Sequence, residues 1–205
     1  MKKRISVIFF LAFAAVAFAQ TPREIVSRME AEMEKHEKEG IGMTVDVKVP
    51  IMGSMTSQTY SLGNKSRVDA TMLGMDIITW TDGKTVWRYN SKKNEVEISQ
   101  PEMDSESEGD AEMFSGITEG YDVSIDDETS TSWTLLCKKS RSNKDKDAPK
   151  KMVLVVAKGT YMPVSLKTTM SGITLTMRNL TFGVTEKQVT FNAKDYPGVT
   201  VVDKR

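Results

Sequence analysis

Two side chains in this 205-residue chain could do nucleophilic or acid–base chemistry by type: its one histidine, His36, and its one cysteine, Cys137. His36 sits among Glu34, Lys35, Glu37 and Lys38, the pattern of a solvated helix face. With no second histidine, catalytic triads and the common zinc sets lack members. Cys137 closes the strand-like run WTLLC. It reads as a small core residue, because no imidazole is at hand to draw off its proton. The acidic tract Glu102, Asp104, Glu106, Glu108, Asp110 and Glu112 lacks the ligand spacing of a calcium loop and reads as a solvated insertion. The segment Lys138–Lys151 is basic and reads as a solubilising loop or one that steers toward anionic headgroups or an acidic partner. The glycines are scattered among turns, so no phosphate-cradling loop is present. These residues point away from an enzyme and call for no cofactor or metal.

The apolar residues carry more information. In Ile77–Asn90, Asp82-Gly83 is a turn signal between two strand-like runs. A two-residue loop there pairs Thr81 with Lys84, Trp80 with Thr85 and Ile78 with Trp87. Alternation then puts Ile78, Trp80, Trp87 and Tyr89 on one face, which either protein or ligand must cover. Ile77 and Met75 leave the opposite face partly apolar, so alternation does not decide which side meets a ligand. There are 14 methionines, many in or beside strand-like segments. They fit either ordinary gap-filling or a surface adapted to varied apolar partners.

The elements that position these side chains follow from punctuation and period. Thr21–Glu39 reads as a helix, with a Thr21/Glu24 capping box, Pro22 in the first turn, an apolar stripe of Ile25, Val26, Met29 and Met33, and a stop at Gly40. Strands are predicted over 43–49, 54–62, 66–72, 75–81, 84–90, 94–99, 121–126, 131–138, 151–158, 163–170 and 173–181. A loop of Ser171-Gly172 pairs Met170 with Ile173, Thr168 with Leu175 and Leu166 with Met177. Val164, Leu166, Met170, Ile173, Leu175 and Met177 then share an apolar face. Met113, Phe114 and Ile117 have helical spacing within the 101–120 interruption. The expected fold is mainly β: an open antiparallel barrel of about eleven strands with a helical lid.

The chain opens like an exported protein. Lys2, Lys3 and Arg4 precede an apolar run to Phe18, and Ala17-Phe18-Ala19 fits a cleavage site. The expectation is a signal peptide over 1–19, cleaved after Ala19, and one periplasmic domain over 20–205, monomeric and without a membrane anchor. Cleavage would move the formal charge from zero to three net negative charges, which gives no sign of nucleic-acid binding.

With these elements in order, the chain resembles the periplasmic outer-membrane lipoprotein carrier family (LolA-type). Thr81–Asn90, TDGKTVWRYN, resembles that family's SDGKxxWxYxP hairpin, and Val189-Thr190-Phe191 with Pro197–Asp203 resembles its closing F-x-F…P-x-G-V-x-V-x-D segment. Met152–Val156 and Tyr161-Met162-Pro163-Val164 resemble the strand–turn–strand between them. One departure is clear: Gly63–Asp69 contains no K-R-P stretch, so the role of the family's lid-contacting arginine does not pass to Arg67. The resemblance implies an acyl-chain cavity plugged by helices, and passage of lipoproteins from an inner-membrane releasing transporter to an outer-membrane receptor. On that reading the candidate cavity wall is Ile78, Trp80, Trp87, Tyr89, Val45, Val47, Met72, Leu166, Met170, Leu175 and Met177. The candidate lid is Ile25, Met29, Met33, Met113, Phe114 and Ile117. A same-fold sensor of lipid or lipoprotein acting through a protein partner, and an interaction module with a filled core, remain open beside the carrier.

Overall fold

The computed structural model describes residues 20–36, 38–51, 53–101 and 116–205. The signal-like segment and the acidic tract, with Met113 and Phe114, lie outside the described residues. Helix α1 spans Pro22–Glu34. Its start is the expected capping box: Glu24 N–H donates to Thr21 Oγ1 at 3.3 Å, and Thr21 N–H donates to the Glu24 carboxylate at 2.8 Å. It ends before the predicted Glu39. Beyond Met33 no apolar residue is left to hold the stripe down, and the backbone closes in turns from Lys35 to Glu32 and from His36 to Met33.

Twelve strands follow: β1 Ile41–Val49, β2 Gly53–Leu62, β3 Lys65–Met72, β4 Met75–Thr81, β5 Val86–Asn90, β6 Glu95–Ser99, β7 Tyr121–Glu128, β8 Ser132–Lys139, β9 Lys151–Ala157, β10 Pro163–Met170, β11 Ile173–Phe182 and β12 Thr200–Asp203. A one-turn helix α2, Glu186–Val189, lies between β11 and β12. All strands join one sheet in the order β12-β6-β5-β4-β3-β2-β1-β11-β10-β9-β8-β7. The expectation of about eleven antiparallel strands needs correcting in one place. β12 was not foreseen, and it pairs parallel to β6, Thr200 opposite Glu95 through Asp203 opposite Ile98. The chain leaves β11 near the middle of the sheet and crosses to its far edge, where it adds a strand in the direction of β6. β7 and β12 are the two edges of this order.

The Ser171-Gly172 hairpin has the predicted register, and both loop residues adopt left-handed backbone (φ 50° and 84°) as a tight two-residue turn requires. The β4–β5 hairpin does not. Thr81 pairs with Val86, Trp80 with Trp87 and Ile78 with Tyr89, leaving a four-residue loop. Asp82 explains the change: its Oδ1 accepts from the Lys84 and Thr85 N–H groups at 2.9 and 2.8 Å, replacing the two-residue turn by a side-chain-closed one. The shift is even, so the four aromatic and aliphatic side chains still share a face.

Val164 departs from the predicted apolar face. Pro163 opposes Val156 while Ser165 opposes Val155, a bulge that leaves Pro163 and Leu166 buried and turns Val164 out to solvent.

Candidate functional site

Following the cross-strand pairs shows which side chains share a surface. On β8, β9, β10, β11 and β1, the face bearing Trp133, Leu135, Cys137, Met152, Leu154, Val156, Leu166, Met177 and Met43 forms the core. The apolar stripe of α1 (Ile25, Val26, Met29, Met33) is buried in the same cluster. We call this the inner face. Tyr161 ties the helix to the sheet: its hydroxyl accepts from Gln20 Nε2 at 2.6 Å and from an Arg28 guanidinium nitrogen at 2.8 Å. Arg28 also lies over the Tyr161 ring at 5.1 Å. His36 stacks on Phe182 at 4.2 Å, half-buried rather than fully solvated. Cys137 is buried, and burial pushes its thiol up to about 11, which keeps it protonated near neutral pH.

Continued through the register, the inner face reaches Val45 and Val47 on β1, Met55 and Ser57 on β2, Val68, Ala70 and Met72 on β3, and Met75 and Ile77 on β4. Ile78, Trp80, Trp87 and Tyr89 lie on the opposite, outer face. There the C-terminal segment packs against the three aromatic ones, while Ile78, Trp87 and Tyr89 stay half-buried. Phe191 packs edge-on to Trp80 at 5.3 Å and stacks near Trp87 at 6.0 Å, while Tyr196 approaches Tyr89 at 4.6 Å and Trp80 at 5.6 Å. Trp80 and Val96 are buried as a result. The eleven side chains expected to line one wall therefore fall on two surfaces.

Of those eleven, Leu166 and Met177 are in the core beneath α1, and Leu175 packs partly against it. Met170 is exposed at the β10–β11 tip. Val45, Val47 and Met72 lie on the inner face with Met75 and Ile77, the opposite face noted from the sequence, and with Met55, Val68 and Ala70, which were not among the expected wall residues. The alternation of Val68, Ala70 and Met72 was the available signal for these. Of the expected lid, Ile25, Met29 and Met33 are buried and Ile117 packs against the same core. Arg67 lies on the outer face, 5.5 Å above Trp80, and is held by Asp69 through bonds of 2.6 and 2.8 Å, away from α1.

The core cluster stops at β1: no inner-face residue of β2, β3 or β4 belongs to it. Met55, Val68, Ala70, Met75 and Ile77 are half-buried, and Met72 is exposed at the strand end. They form an apolar shelf beside the helix. A separate groove of about 370 Å³ runs between α1 and the start of β7. It is polar, with Arg23, Glu30, Glu119 and Asp122 among its lining residues, and burial raises the Glu30 carboxyl above its ordinary value. Among the described residues no three His, Cys, Asp or Glu side chains are placed to share a metal ion, and no helix is long and apolar enough to cross a membrane.

Solved structures share this fold. LprF from Mycobacterium bovis superposes with a TM-score of 0.52 at 11% identity, over 81% of this chain and 96% of that one. The lipoprotein LppX from Mycobacterium tuberculosis gives 0.50 at 9% identity, over 80% and 97%. The chain has an LppX/LprF-like fold. A LolA superfamily protein from Nitrosomonas europaea also matches, over 86% of this chain and 100% of its own at 11% identity, with a TM-score of 0.36. No protein-family model and no curated protein matches the chain.

Proposed function

We propose that this chain is a periplasmic carrier that holds the acyl chains of a lipoprotein on the inner-face shelf of β1–β4, beside α1, without catalysing a reaction. The observation that carries this reading is the shelf itself. From Val45, which packs against the core, and Val47 on β1, the apolar face continues through Met55, Val68, Ala70, Met75 and Ile77 on strands outside the core cluster. Covering such a surface with acyl chain contributes about 0.8 kcal/mol per buried CH₂. Methionines at its rim adapt to chains of varied shape.

In this reading α1 is the movable cover. Its buried stripe of Ile25, Val26, Met29 and Met33 competes with the acyl chain for apolar contact, which limits affinity and permits release. The partners that fit are the membrane complex that loads the chain and the receptor that unloads it.

The test is mass spectrometry of lipid or lipoprotein co-purifying with the chain from Gln20, followed by incubation with lipoprotein-loaded inner-membrane vesicles. A carrier releases lipoprotein in stoichiometric amounts. Binding without release makes the protein a sensor, and absence of both overturns the proposal.

A further inference from the structure

The strand directions gather five loops at one end of the sheet: β1–β2, β3–β4, β5–β6, β8–β9 and β10–β11. The three central tips are apolar. Ile51 and Leu73 are fully exposed, and Met72, Met170 and Ile173 beside them are exposed as well. Neighbouring tips are joined. Pro50 lies where a side chain at Gly172 would touch it, and Asp76 N–H donates to Ser91 Oγ at 2.8 Å. Register sets Met72 opposite Met75 behind them.

Backbone conformation shows that this apolar chemistry works against local preference. Ile51 and Leu73 sit at φ 71° and 51°, left-handed positions that suit glycine or asparagine and disfavour a branched side chain, most of all a β-branched one. Each occupies a turn where a polar residue would fold more easily and dissolve better.

Basic loops flank the apolar tips on both sides. Lys92 and Lys93 form the β5–β6 tip, with their N–H groups bonded to Asn90 Oδ1. On the other side the β8–β9 connection carries Arg141, Lys144, Lys146 and Lys150, exposed, against Asp145 and Asp147. None of these six cations forms an ion pair among the described residues. Asp76 at the start of β4, close in sequence to Leu73, accepts from Thr71 Oγ1 at 2.7 Å. The opposite end of β7 carries Asp126, Asp127 and Glu128, so the sheet is basic at one end and acidic at the other along its β7 side.

We infer that this end of the sheet is a docking rim for an anionic lipid bilayer, with Ile51, Leu73, Met170 and Ile173 entering the interface and the two lysine-bearing flanks meeting lipid phosphates. A row of apolar tips between cationic loops matches a planar surface that is anionic outside and apolar a few ångströms below. The inference does not rest on the shelf carrying acyl chains, since it concerns the bilayer surface and other side chains.

Sedimentation with vesicles tests it, using the chain from Gln20, which holds every described element. The protein is expected to sediment with phosphatidylethanolamine–phosphatidylglycerol vesicles at low salt, to dissociate as salt rises, and to bind phosphatidylcholine vesicles far more weakly. The double variant Ile51→Asn, Leu73→Asn should bind the anionic vesicles at least about tenfold more weakly while melting no lower than the wild type, because asparagine fits both turns. Lys92→Glu with Lys93→Glu should weaken the salt-sensitive part. Equal binding by the Asn variant, equal binding to both lipids, or no binding to anionic vesicles overturns the inference. So does a rim that pairs two copies of the chain, seen as a dimer that the Asn variant dissolves with no vesicle binding.

Discussion

The two halves of this sheet bury opposite faces. From β7 through β11 to β1 the inner face is filled, with α1 laid against Leu135, Leu154, Leu166 and Met177. From β4 to β6 the outer face is filled, by Phe191 and Tyr196 on Trp80, Trp87 and Tyr89. One cover is a helix that precedes the sheet in sequence and the other is the segment that follows it. Where the two covers do not overlap, on the inner side of β2–β4, apolar side chains are left half-buried. Because the C-terminal segment crosses to the outer face, it leaves the inner side of β2–β4, which α1 does not reach, uncovered.

The sharpest challenge to this comparison is Trp80→Ala. If the outer cluster is a true second core, the loss should be about 3–5 kcal/mol in denaturant unfolding; a loss below about 1 kcal/mol would reduce it to surface decoration. Leu154→Ala, in the core beneath α1, should cost about 2–5 kcal/mol by the same measurement. Ile77→Asp, on the shelf, should change stability by no more than about 1 kcal/mol because the site is half-open, yet weaken binding of a fluorescent fatty acid at least about tenfold. A smaller effect concerns the ion pair joining β1 to β11, Arg178 Nε to Asp46 at 2.7 Å. The Arg178 and Thr56 hydrogen bonds hold the Asp46 carboxyl below its ordinary 3.8. A depressed carboxylate stabilises the fold above its unfolded value, and that contribution is lost as pH falls through the folded value. The pair is partly solvated, so Asp46→Asn should cost no more than about 1 kcal/mol at neutral pH and nothing in strong acid, read from unfolding across pH.

Much of the fold was legible because short-range chemistry decided it. The Thr21 cap and the Ser171-Gly172 turn are local, and both stand as expected. The β4–β5 register slipped by two because Asp82 recruits two backbone N–H groups, which a turn motif alone does not show. β12 escaped because it is four residues long and its partner lies about 100 residues earlier, as in the Asn94 to Gly198 bond. The site was harder. Ile78 and Trp80 on one side and Met75 and Ile77 on the other are all apolar, so alternation groups them without saying which group is covered. That depends on where Phe191 and Tyr196 land, a matter of tertiary packing.

The central claim is that acyl chain meets the inner face of β1–β4. Photo-crosslinking with a diazirine-bearing fatty acid, followed by peptide mapping of the adducts, tests it most directly. Adducts are expected at Val47, Met55, Val68, Met75 or Ile77, lost on addition of unlabelled fatty acid. Adducts at Ile78, Trp80, Trp87 or Tyr89 instead, or labelling that unlabelled fatty acid does not displace, would contradict it.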